Sequence, residues 1–179
     1  LAASAVSAQS NVTIYGLIDA NIGYSNNADA TKSSVFKVNS GGMNTSRLGF
    51  RGTEDLGGGL KTVWQLESGI ILDTGAADGD IFGRQANVGL QGDFGRVVAG
   101  RSYSTTYDFI LPFDPMGYAP QYSWATSAGA TGARKDGMLT GTSNMVKYQF
   151  DGDGFKVGAT YGLGEVAGDT TASAKYSLA

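Results

Sequence analysis

Apolar and polar residues alternate along much of this chain. From 11 to 24 the run NVTIYGLIDANIGY sets Val12, Ile14, Gly16, Ile18, Ala20 and Ile22 against Thr13, Tyr15, Leu17, Asp19 and Asn21. A period of two marks a β-strand, whose successive side chains point to opposite faces. The stretch TSRLGFRGTEDLGGGLKTVWQLE, residues 45 to 67, repeats the pattern on both sides of a glycine turn at 54 to 59. Leu48 and Phe50 share one face there, and Arg47, Gly49 and Arg51 the other. After the turn, Leu60, Thr62, Trp64 and Leu66 oppose Lys61, Val63, Gln65 and Glu67. Such a pair reads as a hairpin.

Eight strands are predicted in this way: about 11–24, 45–53, 60–72, 84–92, 96–101, 144–151 and 155–163, with the last starting near 171. No stretch holds a helical period over enough length to predict a helix. The apolar faces of all eight strands lack charge. The opposite faces hold Asp19, Arg47, Arg51, Lys61, Glu67, Lys147, Lys156 and Lys175.

Two architectures fit that division. In a soluble β-sandwich the charged face meets water and the apolar face meets a second sheet, giving a secreted adhesin or lectin-like binding protein. In a transmembrane barrel the apolar face meets lipid and the charged face a water-filled bore. Connection lengths separate the two. Long ones (25–44, 73–83, 102–143, 164–170) alternate with short ones (54–59, 93–95, 152–154). An up-and-down barrel with short periplasmic turns and long outer loops has this alternation. Closure also removes the sheet edges that hydrocarbon would penalise. Phe50, Trp64, Phe94, Tyr148, Phe150, Phe155 and Tyr161 fall near strand ends, where aromatic girdles sit. The expectation is an all-β, up-and-down antiparallel transmembrane barrel.

Composition narrows the function. The 179 residues include 28 glycines and 3 prolines, with neither cysteine nor histidine. A disulfide framework is thus excluded, along with the commonest general base and metal ligand. Asp108 and Asp114 have no spacing that fixes them for acid–base work, so no catalytic residue is assigned and no enzyme is expected. Gly57-Gly58-Gly59 precedes a strand rather than a helix and is no phosphate loop. The turn 151–154 lacks the length and the bidentate glutamate of an EF-hand loop. No metal or other cofactor is expected. A net charge of −3 argues against nucleic acid as a partner.

The start, LAASAVSAQSN, resembles the end of a secretory signal with an A-x-A-like site at Val6-Ser7-Ala8. Residues 1–8 are read as a signal remnant and 9–179 as one barrel domain. The chain breaks off inside a strand at TASAKYSLA, so truncation at both ends is expected. The loop 102–143 is unusual. It holds Pro112, Pro115 and Pro120 together with Tyr103, Tyr107, Phe109, Phe113, Tyr118, Tyr122 and Trp124. So many aromatics need a surface to pack on, and a loop this long is usually functional. It is expected to fold into the bore and narrow it.

These segments together resemble the Gram-negative general porins common in betaproteobacteria. The resemblance rests on NVTIYGLIDANIGY, on TSRLGFRGTEDLGGGLKTVWQLESG, on GRQANVGLQGDFGRVVAGR and, more loosely, on YDFILPFDPMG. It implies homotrimers of about sixteen-stranded barrels, so this chain would be the N-terminal half of one. Such proteins sit in the outer membrane among lipid and lipopolysaccharide and pass small hydrophilic solutes by diffusion. The resemblance also implies a constriction in which basic wall residues face acids or carbonyls of the third loop. The wall positions would be Arg47, Arg84 and, nearer the periplasmic mouth, Arg51. Arg134 would join from the loop's returning limb, and the loop acids would be Asp108 and Asp114. Strict alternation from Ala86 points Arg84 outward, so its place in the bore needs a bent strand end. Asp19, Lys61, Glu67, Lys147, Lys156 and Lys175 complete the expected bore-facing charges. Their positive excess predicts anion preference.

Overall fold

The computed structural model describes residues 11–28, 30–123, 141–169 and 171–179. The signal remnant 1–8 and Arg134 therefore lie outside the described residues. One antiparallel sheet dominates. Its strands are β1 (Asn11–Leu17), β4 (Arg47–Gly57), β5 (Leu60–Ile71), β7 (Gln85–Gly92), β8 (Gly95–Tyr103), β9 (Gly141–Asp151), β10 (Lys156–Gly162) and β11 (Lys175–Leu178), in that order across the sheet. A two-residue β6 (Ala76–Ala77) pairs with β5.

The first strand is not the single run expected over 11–24. It breaks at Ile18-Asp19, and β2 (Ala20–Ser25) pairs instead with β3 (Val35–Ser40), a strand that falls in the expected loop 25–44. The break has a polar cause. Backbone groups that leave a sheet ladder need other partners. The Asp19 carboxylate accepts from the amides of Gly42 (2.9 Å) and Asn44 (2.8 Å). The Asp19 amide donates to Ser46 Oγ at 2.9 Å, and Gly41 N donates to the Asp19 carbonyl at 2.9 Å. Asp19 is thus a cap for a bent hairpin rather than a free charge in the bore.

Side chains divide between the two faces as the alternation predicts. Ile14, Ile18, Ile22, Leu48, Val88, Leu90, Val146 and Val157 are exposed. Glu67, Gln85, Asn87, Thr160 and Lys147 are buried. The arrangement is inside out for a protein in water, where each large aliphatic left exposed forgoes roughly 1.5–3 kcal/mol. Among the described residues no second sheet covers the apolar face, which removes the sandwich alternative. A sheet with hydrocarbon on one side and water on the other is the wall of a membrane barrel. Aromatic side chains collect by two tight turns at one end. Phe150 and Phe155 lie 6.0 Å apart, and the Tyr148 hydroxyl donates to the Phe94 carbonyl at 2.8 Å.

Close packing on the inner face depends on absent side chains. Tyr15, Gly49, Glu67 and Gln85 form one row across β1, β4, β5 and β7. Tyr15 lies over Gly49, where any Cβ would fall inside its ring. Its hydroxyl thereby donates to Glu67 Oε2 at 2.7 Å. Gly49→Val should displace Tyr15 and cost roughly 1–3 kcal/mol, since overpacking forces neighbours off their rotamers. The check is the temperature at which the folded full-length barrel unfolds on a detergent gel, which should fall.

Candidate functional site: a loop laid across the inner face

The long loop leaves β8 at Ser104, whose hydroxyl accepts from Tyr107 N at 3.2 Å and caps a short helix, α1 (Thr105–Ile110). Six residues are too few for a helical period to be visible in the sequence, and no helix was predicted here. Helix α1 lies on β9 and β10. Thr105 N donates to Thr160 Oγ1 at 3.0 Å, and the two hydroxyls are 2.7 Å apart. Gly158 makes the approach possible, because a Cβ there would stand 2.6 Å from Thr105 Cγ2. Lys147 pairs with Asp108 and also donates to the Tyr103 carbonyl at 3.0 Å. Gln149 Nε2 donates to the same Asp108 oxygen at 2.7 Å.

Beyond a 3₁₀ turn (Leu111–Phe113) the chain crosses to the opposite side of the sheet. There Gln121 Nε2 donates to the Gly41 carbonyl at 3.0 Å, and Gln121 N to the Gly42 carbonyl at 3.4 Å. One end of the loop is therefore held by β9 and β10, and the other by the bend between β3 and β4. Asp114 braces the middle. Its carboxylate accepts from Met116 N (3.0 Å), Tyr118 N (2.8 Å) and Ser123 Oγ (2.5 Å). Burial pushes this carboxyl up, but the Ser123 bond and the two amides outweigh it and hold it below its ordinary value. It stays ionised at neutral pH.

On the facing wall, Arg84 donates from Nε to Glu67 Oε1 at 2.7 Å and stacks over Tyr103, its Cζ 5.6 Å from the ring centroid. Arg84 precedes β7, so strand alternation does not fix its direction, and it reaches the inner face beside Gln85. Glu67 joins Arg84 to Tyr15, whose hydroxyl also accepts from Gln65 Nε2 at 2.6 Å. The Arg51 guanidinium lies 5.3 Å from the Tyr15 ring centroid. Arg47 makes one long bond, from Nη1 to the Thr45 carbonyl at 3.4 Å. Tyr103 and Tyr107 stack at 4.1 Å, and Tyr118 tilts against Tyr107 at 4.7 Å. Arg47, Arg84, these three tyrosines and Pro120 line one cavity of about 160 Å³ between wall and loop.

Three expectations need correction. Asp108 does not face the arginines across a gap; it neutralises Lys147 at the wall. Asp114 does not face them either, because its oxygens are turned into its own loop. Lys147 is not a free bore charge, being 4% exposed with its ammonium taken by Asp108 and a carbonyl. Of the other lysines expected in the bore, Lys61 and Lys175 lie exposed on their strands. Lys156 is exposed and meets Asp151 at 2.9 Å across a turn. Phe113 is 84% exposed, so not every loop aromatic packs. Arg96 was not singled out from the sequence. It sits on β8 opposite Gln149, and its Nε is buried with no hydrogen-bond partner among the described residues. Alternation from Val98, which pairs with Lys147, carries the signal for it.

Lys147→Gln should release α1 and raise single-channel conductance of the full-length protein in a planar bilayer. Breaking a buried ion pair costs roughly 3–5 kcal/mol, and the partial exposure of Asp108 puts this pair at the lower end. Unchanged conductance in a correctly folded variant would mean that the pair does not hold the constriction.

The family model for Gram-negative porins matches residues 1–179. The chain is 38% identical over 168 residues to outer membrane porin protein 32 of Delftia acidovorans, covering 92% of this chain and 47% of that protein. It is 42% identical over 104 residues to the major outer membrane protein P.IB of Neisseria gonorrhoeae, with 56% and 29% covered. Among solved structures it is similar to an anion-selective porin from Comamonas acidovorans, with a TM-score of 0.73 and 35% identity over 88% of this chain and 48% of that one. The chain thus spans less than half the length of these relatives. A one-sheet wall with its grease outward, a long loop pinned across the inner face and a match along its whole length together place this chain in the Gram-negative porin family, whose members are outer-membrane proteins.

Proposed function

We propose that the full-length protein forms a water-filled channel through the outer membrane, passing small hydrophilic solutes by passive diffusion and preferring anions. One observation carries the preference. Of the loop acids near the cavity, Asp108 is neutralised by Lys147, and Asp114, still charged, turns its oxygens into its own loop. Among the described residues, Arg47, Arg84 and Arg51 outnumber Glu67, the acid bonded to Arg84 and Tyr15 on the wall they share. Charges at a narrow passage select ions through their local field, and low-dielectric walls strengthen it. The exposed lysines toward the strand ends contribute less in this reading, because fixed charges beyond about 10 Å are screened at 0.1 M salt. The similarity to a structure described as an anion-selective porin supports the same reading.

The zero-current potential across a KCl gradient tests it. The wild type should favour chloride, and Arg47→Ser with Arg84→Ser should lower the chloride-to-potassium ratio severalfold. A cation-selective wild type, or a double variant with unchanged selectivity, would refute the assignment.

The assembly proposed is a homotrimer set in lipid and lipopolysaccharide, with a subunit contact through the outward face of β1 and β2. Gly16, Ile18 and Ala20 give that face small and branched side chains that pack closely, and Ile18 is exposed here. Cross-linking of the full-length protein in mild detergent should give trimers; monomers alone across several detergents would defeat this.

A further inference from the structure

The cavity between wall and loop combines two features that simple ion selection does not require together. One side presents guanidinium groups. Arg47 has only its long bond to Thr45 among the described residues, so most of its planar fork is open to a bidentate carboxylate. Arg84 uses Nε on Glu67, and no bond is drawn from its terminal nitrogens among the described residues. The other side is aromatic. Tyr103, Tyr107 and Tyr118 form a contiguous cluster, with Pro120 beside it. Chloride gains nothing from such a lining.

Size and charge agree with a specific occupant. The cavity holds about 160 Å³, and an apolar cavity of about 150 Å³ accepts benzene. The space is therefore about that of one six-membered ring. Burial raises the Tyr107 hydroxyl above its ordinary pKa and takes Tyr118 to about 12. Neither carries a charge at physiological pH that would repel an anion. Tyr118 is further held by a bond from its hydroxyl to the Tyr107 carbonyl at 3.2 Å, so the ring cluster is pre-formed.

We propose that this cavity is a transient binding site for small aromatic monocarboxylates of the benzoate class, with the carboxylate on Arg47 and the ring among Tyr103, Tyr107, Tyr118 and Pro120. It rests on the anion-preferring reading above and adds a ligand class to the same constriction. Binding must be weak for the solute to leave, as conduction through any channel site requires.

The test uses the full-length protein in a planar bilayer carrying a KCl current. Benzoate, cyclohexanecarboxylate and acetate are added in turn, and the concentration that halves the current is read for each. Benzoate should act at about one tenth the concentration of acetate, since ring–ring and ring–guanidinium contacts each favour it. Cyclohexanecarboxylate, equal in charge but not flat, should fall between them. Tyr107→Leu should bring the benzoate-to-acetate ratio toward one. Equal block by all three acids in a chloride-preferring pore would overturn this site and leave the proposed function standing. A potassium-preferring pore would overturn both. Selective block that survives in Tyr107→Leu would place the ring elsewhere and overturn the assignment. The comparison of acids on the unaltered protein decides the matter even if the variant fails to insert.

Discussion

Everything in this chain depends on a sheet that has hydrocarbon against one face and water against the other. Backbone groups in such a wall must pair with each other, which leaves side chains to satisfy two solvents at alternate positions. Val88 and Leu90 point to lipid while Asn87 and Gln85, their neighbours on β7, are buried by partners on the inner face. The usual relation between burial and polarity is reversed. Glu67 and Lys147 are among the most enclosed side chains, at 6% and 4% exposure. Both are enclosed because something lies over them: Tyr15 and Arg84 over Glu67, and α1 over Lys147.

A buried charge is tolerated only when its partners are close and complete, and that rule decides where the loop goes. The Lys147 side chain is only 4% exposed. It finds Asp108 and the Tyr103 carbonyl, both brought by the chain that leaves β8. The loop is therefore drawn onto β9 and β10. Its return is fixed at Gly41 and Gly42, beside the bend that Asp19 caps. The same two carboxylates, Asp19 and Asp108, thus set the loop's two footholds, one by shaping the wall and the other by binding it. Pinning at α1 and again at Gln121 lowers the number of conformations open to the segment between them, which forms one side of the cavity.

Much of this was legible in the sequence, and the failures share a cause. Alternation assigned the faces of Tyr15, Arg47, Leu48, Glu67, Lys147 and Thr160 correctly, because a period of two is a local rule. It pointed Arg84 outward, because that residue lies just before the strand begins; only the resemblance placed it inward. The break at Asp19 was invisible, since Ile18, Ala20 and Ile22 keep their parity through it; only the partners 23 and 25 residues away, at Gly42 and Asn44, reveal a cap. Lys147 looked like a free bore charge because nothing local announces Asp108 as its partner, 39 residues earlier in the chain. The helix α1 is a single capped turn and a half, shorter than the window in which helical periodicity can be seen. What a residue faces is written locally. What it pairs with is not.

That distinction bears on how a chain with net charge −3 can set arginines beside the cavity under its loop. Counting charges treats every carboxylate alike, but the acids here have different occupations. Asp151 meets Lys156 across a turn, Asp55 accepts from Gly57 N in another, and Asp19, Asp108 and Asp114 are bound to amides, a lysine and a hydroxyl. Each is tied to the structural element it stabilises, and most of those elements lie at the ends of the wall. The arginines at mid-wall serve no ladder and no turn. Arg47 holds one long bond and Arg51 rests on a ring face. Among the described residues, Glu67 is the acid bonded to one of them, on one side of the Arg84 guanidinium. A field screened within about 10 Å is set by groups at that range, so the turn acids Asp55 and Asp151 weigh less at the cavity than Arg47, Arg84, Glu67 and the still-charged Asp114.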